Sequence, residues 1–309
     1  MAIYHNIDNI PSFENLVLTV GTFDGVHMGH RAILKEVVSH AKNVQGTSVL
    51  LTFEPHPRKL LFPDQPLGII TPLNEKLHLI SDTGIQHIVV VPFTREFASL
   101  SAESYIRDFL VGIFQPHTII IGYDHRFGND RKGNIKLLET HSAEYHYELI
   151  EIPPQLIDEA AVSSTKIRHA ISDGRVADAH QMLGRPFALK GHVIHGNKLG
   201  RTLGYPTANL DPLDKDQIVP AVGIYAVKAI HDDITYNGML SIGYNPTVSD
   251  SMDLRIEVNL FDFDKTIYDE TLELLFVVKL RDEKKFPSLD ALKVQLHVDK
   301  LQAQQQLAS

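Results

Sequence analysis

The chain of 309 residues is long for one domain and comfortable for two, and 43% hydrophobic residues can supply ordinary globular cores. Lys and Arg against Asp and Glu number 15 versus 21 over residues 1–184 and 14 versus 17 over residues 185–309, within a net charge of −9. Neither half has the basic excess of a nucleic-acid binder. The absence of cysteine excludes disulfides, thiolate nucleophiles and Cys-based zinc sites. No basic stretch followed by an apolar core opens the chain, and no apolar run approaches the ~18 residues of a membrane span. The expectation is a cytoplasmic protein acting on small-molecule substrates, with no nucleic acid, membrane or obligate protein partner.

Over residues 16–184, short apolar runs alternate with helical patterns. Leu16-Val17-Leu18-Thr19-Val20 reads as a buried strand, and residues 49–53, 87–91 and 118–121 repeat the pattern with many β-branched side chains. Helices are expected over residues 72–81, stopped near Gly84, and over 101–110, stopped near Gly112. Strands buried on both faces and separated by helices predict a doubly wound α/β domain with a parallel sheet. Ligands of such a sheet sit outside the carboxyl ends of its strands.

The first of those ends carries Gly21-Thr22-Phe23-Asp24-Gly25-Val26-His27-Met28-Gly29-His30, followed by a helical stripe of Ile33, Leu34, Val37 and Val38. A strand, a glycine-rich turn and a helix start make a phosphate cradle. Backbone N–H groups approach the anion, and the helix N-terminus adds about half a positive charge. His27 and His30 share a helix face, where two imidazoles can donate to phosphate oxygens. The same stretch also reads as a plain connection with two surface histidines.

Thr52-Phe53-Glu54-Pro55-His56-Pro57 follows the second strand as a rigid loop or simple turn. Gly122-Tyr123-Asp124-His125-Arg126-Phe127-Gly128 leads into a local cluster of Arg126, Arg131, Lys132 and Lys136, suited to a small anion. Ser163-Ser164-Thr165-Lys166-Ile167-Arg168 starts a helix. Its hydroxyls serve as N-caps, or combine with the free N–H groups and the two cations as an anion clamp. A helical pattern over 176–183 ends at Gly184, and Arg185-Pro186 breaks it, so two domains are expected, 1–184 and 185–309.

Beyond that junction, glycines, prolines and Asx turns separate short alternating strands, and helices are expected only at the end. Runs over 223–230, 238–242, 254–260 and 271–280 suggest a mostly antiparallel β-barrel, closed by a helix after Pro287 with Leu289, Leu292 and Leu296 on one stripe. Gly196-Asn197-Lys198-Leu199-Gly200-Arg201 is not a P-loop, because Asn197 stands where that motif demands lysine. Gly196, Lys198, Gly200 and Arg201 remain able to cover a triphosphate by another geometry. The Thr207 hydroxyl and Asn209 amide oxygen are hard ligands of the kind a Mg²⁺–nucleotide prefers. In Leu254-Arg255-Ile256-Glu257-Val258-Asn259-Leu260, the polar face reads either as a solvated outer face or as the barrel's interior ligand face. In the second case Glu257 is a positioned general base.

His27-Met28-Gly29-His30 resembles the HxGH signature of the nucleotidylyltransferase superfamily. In order and over nearly its whole length, the chain resembles the bacterial bifunctional riboflavin kinase/FMN adenylyltransferases, the prokaryotic FAD synthetases. The matching stretches are 21–30, 52–57, 122–128, 163–168, 196–209, 220–225, Ile242-Gly243-Tyr244-Asn245-Pro246-Thr247, and Glu257 with 260–268. The resemblance implies an α/β adenylyltransferase domain followed by a kinase barrel, converting riboflavin to FMN and FMN to FAD with ATP and Mg²⁺. It implies that Thr207 and Asn209 serve the Mg²⁺–ATP and that Glu257 is the kinase base. It also implies that His27, His30 and Arg168, with Gly21, Phe23, Asp24, Gly29, Asp124, Ser163, Ser164 and Thr165, hold the other nucleotide. Phe53, Pro55, His56, Pro57 and Asn259 are implied on the flavin side. One departure is His125, where the family pattern has Phe. The alternative is a single-activity adenylyltransferase for another phosphate, carrying an accessory flavin-binding barrel.

Overall fold

The computed structural model describes residues 1–153, 162–196, 199–245 and 253–308, without the side chains of residues 199, 201, 245 and 253. The chain forms two compact units, Met1–Leu67 with Thr71–Ser163, and Gly68–Ile70 with Ser164–Ser309.

In the first unit β1 (Ala2–Tyr4), β2 (Val17–Val20), β3 (Ser48–Glu54), β4 (His87–Pro92), β5 (Thr118–Gly122) and β6 (Glu148–Ile152) form one sheet in the order β1-β4-β3-β2-β5-β6. Every pairing is parallel. Alternate residues fill two cores. Leu18, Val20, Leu51, Val89, Ile119 and Ile121 meet Ile106, Phe109 and Leu110 on one side. Val17, Leu50, Ile88, Val90 and Ile120 meet Ile33, Leu34, Val37, Leu77 and Ile80 on the other. Strands covered on both faces lose their polar alternation, which is why they read as continuous apolar runs. Between β2 and β5 the strand order reverses, and a crevice opens at such a point.

Two helices flank the motif loops, Met28–Asn43 after β2 and Leu73–Ser81 before β4. The helix expected to stop near Gly112 instead continues to Phe114 in π-helical form, until Gln115 enters the left-handed region at φ 49°. Helix Ile135–Tyr145 and strands β1 and β6 carry no strong apolar run and were not expected.

In the second unit β7 (Phe187–Ile194), β8 (Ala208–Pro212), β9 (Gly223–His231), β10 (Ile234–Asn245), β11 (Asp253–Leu260) and β12 (Thr271–Arg281) close a barrel in the order β10-β11-β8-β7-β12-β9. All its pairings are antiparallel. Opposite residues share a face, so the register defines the interior. Leu240 faces Val258, Ile242 faces Ile256, Leu274 faces Leu189, and Phe276 faces Phe187 and Val227. Helix Val176–Leu183 packs on β7 and β12, ending with Gly184 at φ 70°. A short helix, Leu199–Thr202, interrupts the stretch expected to lack helices. The parallel sheet, the closed antiparallel barrel and the terminal helix are the architecture the sequence predicts.

The terminal helix Leu289–Leu307 starts on Ser288, whose hydroxyl accepts from the Ala291 N–H at 3.1 Å. Arg281 of β12 donates Nε and Nη2 to the two carboxylate oxygens of Asp299 at 2.8 and 2.6 Å, and Gln295 adds a third bond. Asp299 is fully buried, so its removal strands a cation against the helix. Asp299→Ala is expected to destabilise the second unit by about 3 kcal/mol. Urea unfolding followed on that unit's transition measures it, and an unchanged midpoint refutes the pinning role.

Candidate active sites

In the first unit, the turn after β2 is built on unusual backbone. Phe23, Gly25 and Val26 take φ of 48°, 91° and 39°, and Val26 is a β-branched residue in a region such residues avoid. Burial of Phe23 and Val26 in the core over-determines the strain. A Cβ on Gly21 would come within 3.1 Å of the Phe23 ring, so glycine leaves room for that inward turn. Asp24 is 2% exposed and its carboxylate accepts the Thr71 N–H at 3.0 Å, tying the turn to the residues just before helix Leu73–Ser81.

His27 caps helix Met28–Asn43. Its Nδ1 accepts the His30 N–H at 3.3 Å, and the two imidazoles stack with centroids 3.6 Å apart at 17°. An accepting Nδ1 leaves the proton of the neutral ring on Nε2, which is then a donor. His27 is 5% exposed and Gly29 is buried, while the Phe23 ring lies 5.0 Å from His30. The HxGH residues are therefore a preformed pair at a helix N-terminus, not scattered surface histidines.

Two further side chains lie against this turn, Thr52 of the 52–57 stretch and Lys76, which the sequence reading does not single out. The Thr52 hydroxyl and the Lys76 ammonium both donate to the Thr22 carbonyl, at 3.1 and 3.3 Å. Lys76 is 5% exposed, and burial lowers its pKa against the opposing pull of Glu54 and Asp24. A signal existed, because Lys76 lies between Leu73, Leu77 and Ile80 on the helix's apolar stripe.

The other loops divide. Phe53 is 8% exposed and packs edge-on to Phe93 in the core. Its place at the end of β3, facing the sheet's core, is set by packing. Pro55, His56 and Pro57 enter the short helix Pro57–Leu61, with His56 Nδ1 accepting the Arg58 N–H at 3.2 Å. Asp124 is exposed beyond β5. His125 stacks on Phe127 and is pushed down to about 4 by burial and then Arg131, which keeps its ring neutral at pH 7. Lys132 and Lys136 line a groove of about 590 Å³ together with Ser101, Asn129 and Asn134. Ser163 closes the first unit, whereas Ser164, Thr165 and Arg168 lie in the second, on helix Ser164–Ser172. There Arg168 Nε donates to the Gly68 carbonyl at 2.9 Å.

In the barrel, Ile256 and Val258 point inward, so Arg255, Glu257 and Asn259 occupy the outer face. Of the two readings of that polar face the outer one holds, since the inward positions carry Ile256 and Val258 opposite the buried Ile242 and Leu240. The outer face is nonetheless covered. Glu257 pairs directly with Asn209 of β8, placing the two side chains next to each other. Burial raises the Glu257 carboxyl above the ordinary glutamate range, with Arg255 opposing. Asn259 donates from Nδ2 to the Pro206 carbonyl at 2.7 Å, beside a cleft of about 430 Å³ lined by Tyr205, Phe263, Asp264 and Lys300.

The glycine-rich loop lies over the same face. A Cβ on Gly196 would reach within 2.1 Å of the Asn209 amide nitrogen, and one on Gly200 within 2.3 Å of the Tyr205 carbonyl and 3.3 Å of the Thr207 hydroxyl. Close backbone approach thus brings loop, hydroxyl, amide and carboxylate together. A hydroxyl and an amide oxygen beside a carboxylate are hard donors that fit Mg²⁺. Lys198 and the Arg201 side chain lie outside the described residues, as do Asn197, Pro246 and Thr247.

The chain thus pairs a histidine motif at a helix start, at the switch point of a parallel sheet, with a carboxylate beside an amide on a barrel wall, the arrangement of a two-module transferase. A family model described as FAD synthetase matches residues 9–166, and one described as riboflavin kinase matches residues 183–307. The chain belongs to the bifunctional riboflavin kinase/FMN adenylyltransferase family. The protein of that name from Escherichia coli (strain K12) is 36% identical over 97% of this chain and 95% of its own. The Listeria monocytogenes protein of the same name is 37% identical over 92% and 90%. A solved structure described as a macrolide-efflux protein from Streptococcus pneumoniae is 34% identical, covers 98% of each chain and superposes with a TM-score of 0.88. Its description belongs to that protein; what is shared is the fold. Among the described residues no helix is long and apolar enough to cross a membrane.

Gly200→Ala tests the loop. The added methyl forces Tyr205 and Thr207 aside, so riboflavin phosphorylation is expected to fall at least about tenfold. FAD formation from supplied FMN should stay at the wild-type rate. Equal phosphorylation by variant and wild type in a coupled ADP assay would contradict the close-approach role.

Proposed function

We propose that residues 185–309 carry the riboflavin kinase through Thr207, Asn209 and Glu257, and that residues 1–184 carry the FMN adenylyltransferase through His27 and His30. The family assigns the chain both activities, with riboflavin, FMN, FAD and ATP as substrates and products. The observation supporting the kinase assignment most is the direct pairing of Asn209 with Glu257 under the glycine-rich loop.

In the kinase, the riboflavin hydroxyl oxygen bonds to the γ-phosphorus of ATP, the bond to the ADP oxygen breaks, and the hydroxyl proton passes to Glu257. A carboxylate raised by burial is a stronger base than an exposed one. Thr207 and Asn209 would hold Mg²⁺, which neutralises phosphate charge when bound. Gly196 and Gly200 let the loop backbone close over that face, with Asn259 bracing Pro206 at the adjoining cleft.

In the adenylyltransferase, an FMN phosphate oxygen attacks the α-phosphorus of ATP and pyrophosphate leaves. The nucleophile is already anionic, so no base is needed. Charge stabilisation and alignment suffice. The His27 and His30 rings and the N–H groups of the helix start supply it. Ser163, Ser164, Thr165 and Arg168 act as a further clamp for the phosphates, and the Pro55-His56-Pro57 and Asp124 loops contact the flavin and nucleotide. We further infer a cytoplasmic protein without nucleic-acid, membrane or obligate protein partners, on its acidic balance and cysteine-free composition.

Incubation with riboflavin, Mg²⁺ and ATP, with the flavins separated over time, tests the whole reading. FMN should appear first and FAD after it. Glu257→Gln is expected to lower phosphorylation by about 10²–10⁴-fold while leaving FAD formation from FMN intact. In the wild type, phosphorylation should fall as pH drops through the raised Glu257 pKa, because only the deprotonated carboxylate accepts the proton. An inflection no higher than that of an ordinary glutamate refutes the base assignment. His30→Asn should make FMN normally and accumulate it, with FAD formation down about 10²–10³-fold. An unchanged FMN:FAD ratio removes the histidine pair from the site.

A further inference from the structure

We propose that Lys76 is a positioning residue for adenylyl transfer, holding the Thr22–Phe23 peptide so that the Phe23 N–H faces the phosphate cradle. The inference rests on the reading of residues 21–30 as that cradle. Lys76 does not touch substrate: it is 5% exposed and its ammonium is spent on the Thr22 carbonyl at 3.3 Å.

A trans peptide is planar, and its C=O and N–H point in opposite directions. Lys76 and Thr52 grip the Thr22 carbonyl from the buried side, at 3.3 and 3.1 Å. The N–H of the same peptide, on Phe23, is therefore turned away from that side. Phe23 itself sits at φ 48°, a backbone well that L residues leave readily unless held. The alternative peptide orientation would present the Thr22 carbonyl oxygen, a partial negative charge, to a polyphosphate. A cation behind the peptide selects against that flip and also polarises the N–H.

The surroundings are consistent with a retained charge. Burial disfavours the ammonium, but Glu54 and Asp24 both favour it. Asp24 is in turn fixed by the Thr71 N–H, at the foot of the Leu73–Ser81 helix that carries Lys76. A lysine kept for packing alone needs neither the carbonyl contact nor two carboxylates. The expected signature is a loss in turnover, because oriented N–H groups bind most strongly as negative charge develops on the phosphates.

The test uses the full chain with FMN, Mg²⁺ and ATP, comparing Lys76→Met, Lys76→Arg and His30→Asn. Lys76→Met should lower kcat for FAD formation at least about tenfold with KM for ATP within about threefold, and Lys76→Arg should recover most of it. Phosphorylation of riboflavin by the same preparations should be unchanged. Loss in His30→Asn with full activity in Lys76→Met overturns this inference and leaves the cradle standing. Equal loss in the Met and Arg variants, with unfolding temperatures lowered together, also overturns it in favour of packing. Full activity in His30→Asn removes the cradle and this inference with it. If Lys76→Met does not fold, Thr52→Val decides: a several-fold fall in kcat supports the held peptide, and wild-type kcat refutes it.

Discussion

Side chains on a β-strand alternate, so a small barrel filled with apolar side chains leaves only its outer wall for polar chemistry. Leu189, Leu240, Ile242, Ile256, Val258, Leu274 and Phe276 take the inside. Register then decides which polar residues meet outside. Because Val258 pairs with Ala208 and Glu257 with Asn209, the carboxylate and the amide become neighbours without any loop having to place them. A one-residue slip would send both inward and put apolar side chains in the site. The register that packs the core is thus also the one that sets Glu257 beside Asn209.

The parallel sheet works under the opposite constraint. Both of its faces are dry, so polar chemistry is confined to strand ends. β2 and β5 lie where the strand order reverses, and each is followed by a motif loop. The loop after β2 accepts left-handed backbone at Phe23 and Val26 because both side chains are anchored among Leu34, Val37 and Ile120. A rigid, packed scaffold holds the unusual turn, and the turn in its turn starts the helix on His27.

Much of this was legible in the sequence. β-branched apolar runs gave the buried strands, because burial on both faces erases alternation and leaves a plain signal. The HxGH stretch and the turn Pro206-Thr207-Ala208-Asn209 stand out because their candidate groups are adjacent in sequence. What stayed hidden depended on tertiary facts. Alternation in 254–260 shows which residues share a face, but not which face closes inward. Phe53 both ends an apolar run and lies in a loop motif, and the sheet's packing sets it in the core. Lys76 is one lysine on an amphipathic helix, and its meaning depends on a carbonyl fifty-four residues earlier in the chain. Helix Ile135–Tyr145 buries only Leu138 fully, too little apolar periodicity to stand out.

The second unit is discontinuous in sequence. Residues 68–70 pair in parallel with the segment around Gln217: Ile69 bridges it, its N–H donating to the Asp216 carbonyl and its carbonyl accepting from Ile218, while Gln217 reaches Ile70 and Ala188. During synthesis from the N-terminus, those three residues emerge long before the strands they join. Their backbone partners exist only once residues 216–218 have been made. No single break in the gene separates the two units intact. A chain cut between its halves would part residues 68–70 from the Asp216–Ile218 backbone and take from Gln217 its bond to the Ile70 carbonyl.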